Sequence, residues 1–193
     1  MNKPKIALLV DLASLRISCE GFKKLAEKIE AEFEIVNCKF YSYVAKRNRD
    51  FNEYIAAKGY DAVTPIASRR RNKLDTRQVI DATLIGLNSS IDAIAFALGD
   101  GDILPIVSYL KLKGKDVYEI GIEESPYTPE FSGFIEVSES YLRKGYAAPT
   151  QKKAPKKLAA AKKIKTEEKP EKNYAEQVRQ ILSGKDILDK YRK

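Results

Sequence analysis

Four aspartates carry the reactive chemistry of this 193-residue chain: Asp11, Asp75, Asp100 and Asp102. Asp100 and Asp102 alternate with Gly99 and Gly101 directly after the apolar run Ile94-Ala95-Phe96-Ala97-Leu98. Asp11 closes a second apolar run, Lys5–Val10. Two carboxylates packed into one tight turn repel each other, and a hard divalent cation is their natural compensation. The chain has no histidine and only two cysteines. That removes imidazole ligands and the Ser-His-Asp and Cys-His nucleophiles. An all-carboxylate set of Asp11, Asp100 and Asp102 favours Mg²⁺ or Mn²⁺ over zinc, with Asp75 completing the acidic ring. Such a site polarises a phosphate and lowers the pKa of a bound water, which suits phosphodiester hydrolysis.

Three of the four aspartates also have an ordinary reading. Asp11 suits a turn, Asp102 suits a helix N-cap, and Asp75 in a first helical turn complements the helix dipole. Together they favour the acidic site. Asp81 follows Asp75 by six residues, about 120° round a helix, so it is expected to support the ring and not to join it. The basic loop Arg69, Arg70, Arg71 and Lys73 stands just before Asp75, where a phosphate contact is expected. Lys46, Arg47 and Arg49 form a weaker basic candidate. Tyr41 and Tyr43 alternate on a strand, where core packing competes with base stacking.

The elements that position these residues follow from periodicity. Lys5–Val10, Ile35–Val44, Asp61–Ile66, Ile91–Leu98 and Asp116–Ile120 read as strands, with a short strand near Phe134–Val137. Helical spacing covers Glu20–Phe33, Leu74–Leu87 and Ile103–Lys113. Asp50 is expected to cap a short helix that runs through Lys58 and stops at Gly59. A helical turn is expected at Ser138–Lys144. Strands and helices alternate, so the body is expected to be an α/β domain: a Rossmann-like parallel sheet, order 3-2-1-4-5, with helices on both faces. A dinucleotide site is excluded because Asp11-Leu12-Ala13-Ser14 replaces the glycine-rich turn after the first strand.

Charge divides the chain. Residues 1–146 hold 21 basic and 21 acidic residues, so the whole +8 falls on residues 147–193. Residues 147–172 read as a disordered basic linker and 173–193 as a short helical segment, together an arm suited to a polyanion. Cys19 and Cys38 read as reduced core thiols of a cytoplasmic protein. No apolar run approaches the length of a membrane span, and Asp11 comes too early for a signal peptide. Nothing in the pattern excludes a homo-oligomer.

The order of motifs resembles the NYN domain family, a PIN-like nuclease group, and within it the bacterial LabA-like branch. The resemblance runs from about Lys5 to Lys144. Members open with an apolar strand and D-x-x-N, answered here by Asp11-Leu12-Ala13-Ser14. A K-x-D element with a second Asp six residues on is matched by Lys73, Asp75 and Asp81. S-G-D-x-D-F and G-K-x-V are matched by Leu98-Gly99-Asp100-Gly101-Asp102-Ile103 and Gly114-Lys115-Asp116-Val117. The resemblance implies a PIN-like fold and metal-dependent ribonuclease activity, with RNA as partner and Asp11, Asp75, Asp100 and Asp102 as catalytic residues. The alternative is a non-catalytic module that binds RNA or a protein and keeps the acidic pocket. The departure is Ser14, where the family has Asn; the resemblance implies that Ser14 holds a carboxylate or a water, and its shorter reach is expected to leave Asp11 less firmly placed.

Residues 147–193 supply charge and not chemistry in this reading. Deleting them should raise the apparent KM for RNA and flatten its salt dependence, with kcat little changed, in steady-state assays over a salt series.

Overall fold

The protein is described here from a computed structural model that covers residues 3–65, 74–97 and 101–144. Arg69, Arg70, Arg71, Lys73, Asp100, the linker 147–172 and the segment 173–193 lie outside the described residues.

Among the described residues, six strands and four α-helices build the body. They are β1 (Lys5–Asp11), α1 (Cys19–Glu30), β2 (Glu34–Tyr41), α2 (Arg49–Lys58) and β3 (Asp61–Ala62), then α3 (Thr76–Gly86), β4 (Ala93–Ala97), α4 (Leu104–Leu112), β5 (Asp116–Gly121) and β6 (Gly133–Glu136). All six strands are parallel, in the order β3-β2-β1-β4-β5-β6. The expected order therefore stands, with β6 added beyond β5. The chain leaves β1 toward β2 on one side and reaches β4 on the other, so the strand order reverses at β1.

β1 is buried on both faces, and its alternation divides the core in two. Ile6, Leu8 and Val10 pack with Phe22, Leu25 and Ile29 of α1 and with Phe51 of α2. Ala7 and Leu9 pack on the opposite face with Ala82 of α3 and with Ile106, Val107 and Leu110 of α4. Asp11 is the next odd residue, so strand geometry sends its side chain to the α3 face.

β2 reaches the same division through an irregularity. Ile6 pairs with Ile35 but Ala7 pairs with Asn37, leaving Val36 as an extra residue. Such a bulge reverses the alternation. Ile35 packs with the α1 cluster before it; Cys38 and Phe40 do so after it, while Tyr41 turns to the α3 cluster.

Several boundaries differ from the sequence reading. β2 stops at Tyr41, not Val44, because Ser42 takes a left-handed φ of 57°. Within the described residues β3 shrinks to Asp61–Ala62 at the sheet edge. Asn48, not Asp50, precedes α2, and its Oδ1 accepts from the Val44 N–H. Asp50 instead accepts from the Cys19 N–H at 2.9 Å and from Arg143 Nη2 at 3.1 Å, tying α2 to α1 and to the end of the body. Gly59 ends α2 in the expected left-handed conformation. Cys19 and Cys38 are free and buried, and burial raises both thiol pKa values.

The body closes where the one-turn helix Glu139–Tyr141 lies on α1. Gly21 permits that approach: a Cβ there would stand 2.1 Å from the Tyr141 carbonyl oxygen and 2.6 Å from its Cα. In a free helix Gly→Ala stabilises by about 1 kcal/mol. Here backbone blocks the methyl, and the sign inverts. Gly21→Ala should cost about 1–3 kcal/mol in thermal or urea unfolding.

Candidate active site

In an open α/β sheet the ligand crevice lies beyond the carboxyl ends of the strands, where the strand order reverses. Asp11 stands at that point and has no solvent exposure. The turn after it holds its carboxylate. The Ala13 N–H donates to Oδ1 at 3.0 Å, and Ser14 Oγ donates to Oδ2 at 2.9 Å. The Ser14 and Leu15 N–H groups bond the Asp11 carbonyl at 3.1 and 3.0 Å, which closes the turn. Ser14 does what its position suggested, and its short reach is no handicap. The turn brings Oγ to the carboxylate, so the expected looseness of Asp11 is not seen.

Asp102 lies across the switch point, exposed, in the one-turn helix Gly101–Ile103 between β4 and α4. The N-cap residue of α4 is Ile103, which makes no side-chain cap bond, so Asp102 does not cap this helix. Its neighbour in the motif, Asp100, is outside the described residues.

Asp75 is the N-cap of α3 and not a residue of its first turn. Its carboxylate is wholly engaged from one side. Oδ1 accepts from the Arg77 N–H at 3.1 Å and from Arg77 Nε at 2.9 Å; Oδ2 accepts from Nη2 at 2.6 Å. Arg77 Nη2 also donates to the Thr64 carbonyl at 2.8 Å, which ties α3 to the segment after β3. This bidentate bonding raises the Arg77 pKa further. The geometry makes Asp75 an anchor for the start of α3, with a cation already beside it.

Asp81 turns away toward β2, as its angle on the helix required. Its Oδ2 accepts from Tyr41 Oη at 2.5 Å and pairs with Lys39 Nζ at 2.9 Å. Tyr41 is completely buried and pairs with Asp11 across the β1–β2 ladder. Tyr41 is thus a core residue, and Tyr43 packs on the opposite cluster with its hydroxyl donating to Asn52. Among the described residues no group of three or more Asp, Glu, Cys or His is placed to hold a metal ion. Asp11 and Asp102 are the described carboxylates flanking the switch point, and an oxygen-only donor set is right for a hard cation.

Basic residues rim the same edge. Lys46 and Arg47 are exposed in the β2–α2 connection, Arg49 is exposed at the start of α2, and Arg16 is exposed in the β1–α1 connection. Sequence reasoning missed Arg16, Arg77 and the Tyr41–Asp81 bond. It also missed Gln78, a wholly buried amide on α3. A polar residue one turn from the buried Ala82 was the available signal.

A parallel α/β sheet with aspartates at its switch point is the layout of a PIN-like nuclease-type domain. The chain belongs to the NYN domain family, whose model matches residues 5–138. An uncharacterised protein of Methanocaldococcus jannaschii is 33% identical over 97 residues, which are 50% of this chain and 38% of that protein. The match thus spans well under half of that relative's length. A crystal structure of a protein of unknown function from Vibrio parahaemolyticus superposes with a TM-score of 0.58. It shares 21% identity and covers 74% of this chain and 98% of its own, a likeness of fold. No helix among the described residues is long and apolar enough to cross a membrane.

The Tyr41–Asp81 bond makes a pH prediction. Burial first, and then the bond to Asp81, raise the Tyr41 pKa above its ordinary value. A raised folded-state pKa means stability that is complete below about pH 10 and lost as pH rises beyond it. Tyr41→Phe should cost about 1 kcal/mol at neutral pH. It should also flatten the alkaline loss of stability, measured as urea midpoints for both proteins from neutral to about pH 12.

Proposed function

We propose that the protein is a metal-dependent ribonuclease that hydrolyses RNA phosphodiester bonds at the carboxyl edge of β1 and β4. The observation that carries this reading is Asp11: a fully buried carboxylate at the switch point of an NYN domain, oriented by Ala13 and Ser14.

Asp11, Asp100 and Asp102 would hold Mg²⁺ or Mn²⁺. When bound there, the cation supplies charge stabilisation to the phosphate and a water of lowered pKa. The chain's own residues do the remaining work. The turn Asp11–Leu15 fixes one carboxylate before substrate arrives, so the site reorganises little during reaction. Asp75, bound to Arg77, holds the start of α3 in place and acts as a support, with no ligand role assigned to it. Arg16, Lys46, Arg47 and Arg49, with Arg69, Arg70, Arg71 and Lys73 from the loop before α3, attract and align the phosphate backbone. These contacts position RNA without reading its sequence.

Purified protein with single-stranded RNA and Mn²⁺ tests the reading. Wild type should cleave, and chelation should stop it. Asp100→Asn and Asp102→Asn should each lower the rate by at least about a hundredfold with the unfolding midpoint unchanged or raised, because a like-charge repulsion is removed. RNA binding without cleavage under either metal would replace this reading with that of a non-catalytic RNA-binding module.

A further inference from the structure

Gln78 carries an inference that rests on the ribonuclease reading and extends it to substrate choice. The side chain is wholly buried, and neither Nε2 nor Oε1 has a hydrogen-bond partner among the described residues. Such an amide destabilises the resting protein, whereas an apolar side chain of similar shape would not. An unpaired buried polar group in a site calls for an occupant that arrives from outside.

Its position shows which site. Gln78 and Ala82 lie on the buried stripe of α3 that follows Asp75, and Ala82 packs in the cluster with Ala7 and Leu9 of β1. α3 connects two parallel strands, so it runs back against them. The step from Ala82 to Gln78, about 6 Å along the helix, matches the step from Leu9 to Asp11 along the strand, about 6.6 Å. Both steps go toward the carboxyl edge. Gln78 therefore lies on the face of the sheet to which Asp11 turns, in the first turn of α3, where its N–H bonds the Asp75 carbonyl at 2.8 Å. Both side chains are at 0% exposure.

The chemistry of the amide selects among the groups that RNA brings. A primary amide offers donors on one end and an acceptor on the other. Phosphate oxygens only accept, and a cation engages only Oε1. Base edges and the ribose 2′-hydroxyl both donate and accept, and the hydroxyl is the group that distinguishes RNA from DNA. The nearby carboxylates draw their donors from elsewhere: Asp11 from Ala13 and Ser14, Asp75 from Arg77. We propose that Gln78 reads the ribose 2′-hydroxyl at this edge of the sheet and makes the site selective for RNA. A site built to pair a hydroxyl discriminates strongly against the analogue that lacks it, because its own polar group is then left unpaired.

The test compares wild type with Gln78→Met, using ribo- and deoxyribo-oligonucleotides of one sequence. Binding is read by fluorescence anisotropy in EDTA, and cleavage with Mn²⁺. The affinity and kcat/KM for RNA should fall about tenfold or more while the values for DNA hold, so the preference collapses. The melting temperature of Gln78→Met should be unchanged or higher. Gln78→Asn keeps the polarity but withdraws the amide by one methylene, and should lose the preference as well if Gln78→Met does not fold. An unchanged RNA-to-DNA ratio, or an equal fall for both, overturns the assignment while wild-type cleavage leaves the ribonuclease reading standing. A lower melting temperature with the ratio intact assigns the amide to a trapped water and also overturns it. Wild type that neither binds nor cleaves RNA overturns both.

Discussion

A carboxylate with no exposed surface must find its donors inside the protein, and Asp11 places that demand at the end of the central strand. The first turn after β1 answers it with one backbone N–H and one hydroxyl. Everything else about the site follows from where that carboxylate is fixed. β1 is flanked by β2 and β4, so Asp11 lies where the connections diverge and a crevice opens. The alternation of β1 then assigns α1 and α2 to one side and leaves α3 and α4 to wall the acidic side.

Much of this was legible in the sequence because burial leaves a strong pattern. Unbroken apolar runs at Lys5–Val10 and Ile94–Leu98 announced central parallel strands, and the intervening helical spacing announced their crossovers. What stayed hidden depended on single backbone angles or on partners distant in sequence. Ser42 adopts a positive φ without being glycine, so nothing marked the end of β2. Asp50 looks like a cap, yet it serves the start of a different helix, 31 residues away.

The acidic residues divide the same way. Asp11 and Ser14 are neighbours in the chain, and the family motif pointed to a bond between them, though a looser one than the turn makes. The pairing of Asp75 with Arg77 was not legible, because a charge on a helix looks like ordinary solvated surface. The guanidinium reaches back to the cap and across to Thr64, so a residue expected to complete an acidic ring proves to be half of an ion pair. Asp81 was expected to stand apart. The structure adds the reason, a buried tyrosine hydroxyl and a lysine on β2.

The extra residue at Val36 has a consequence for how this fold can vary in evolution. Upstream of it, β2 presents one set of side chains to the α1 cluster; downstream, the phase is reversed, and Lys39 and Tyr41 come round to meet Asp81. A relative that lost the bulge without losing a residue would shift the register of β2 by one and swing those two positions to the other side. Its α3 carboxylate would then need a new donor. The length of the β1–β2 register and the identity of residue 41 are therefore inherited together, and an alignment that slides a gap through β2 changes the chemistry it claims to match.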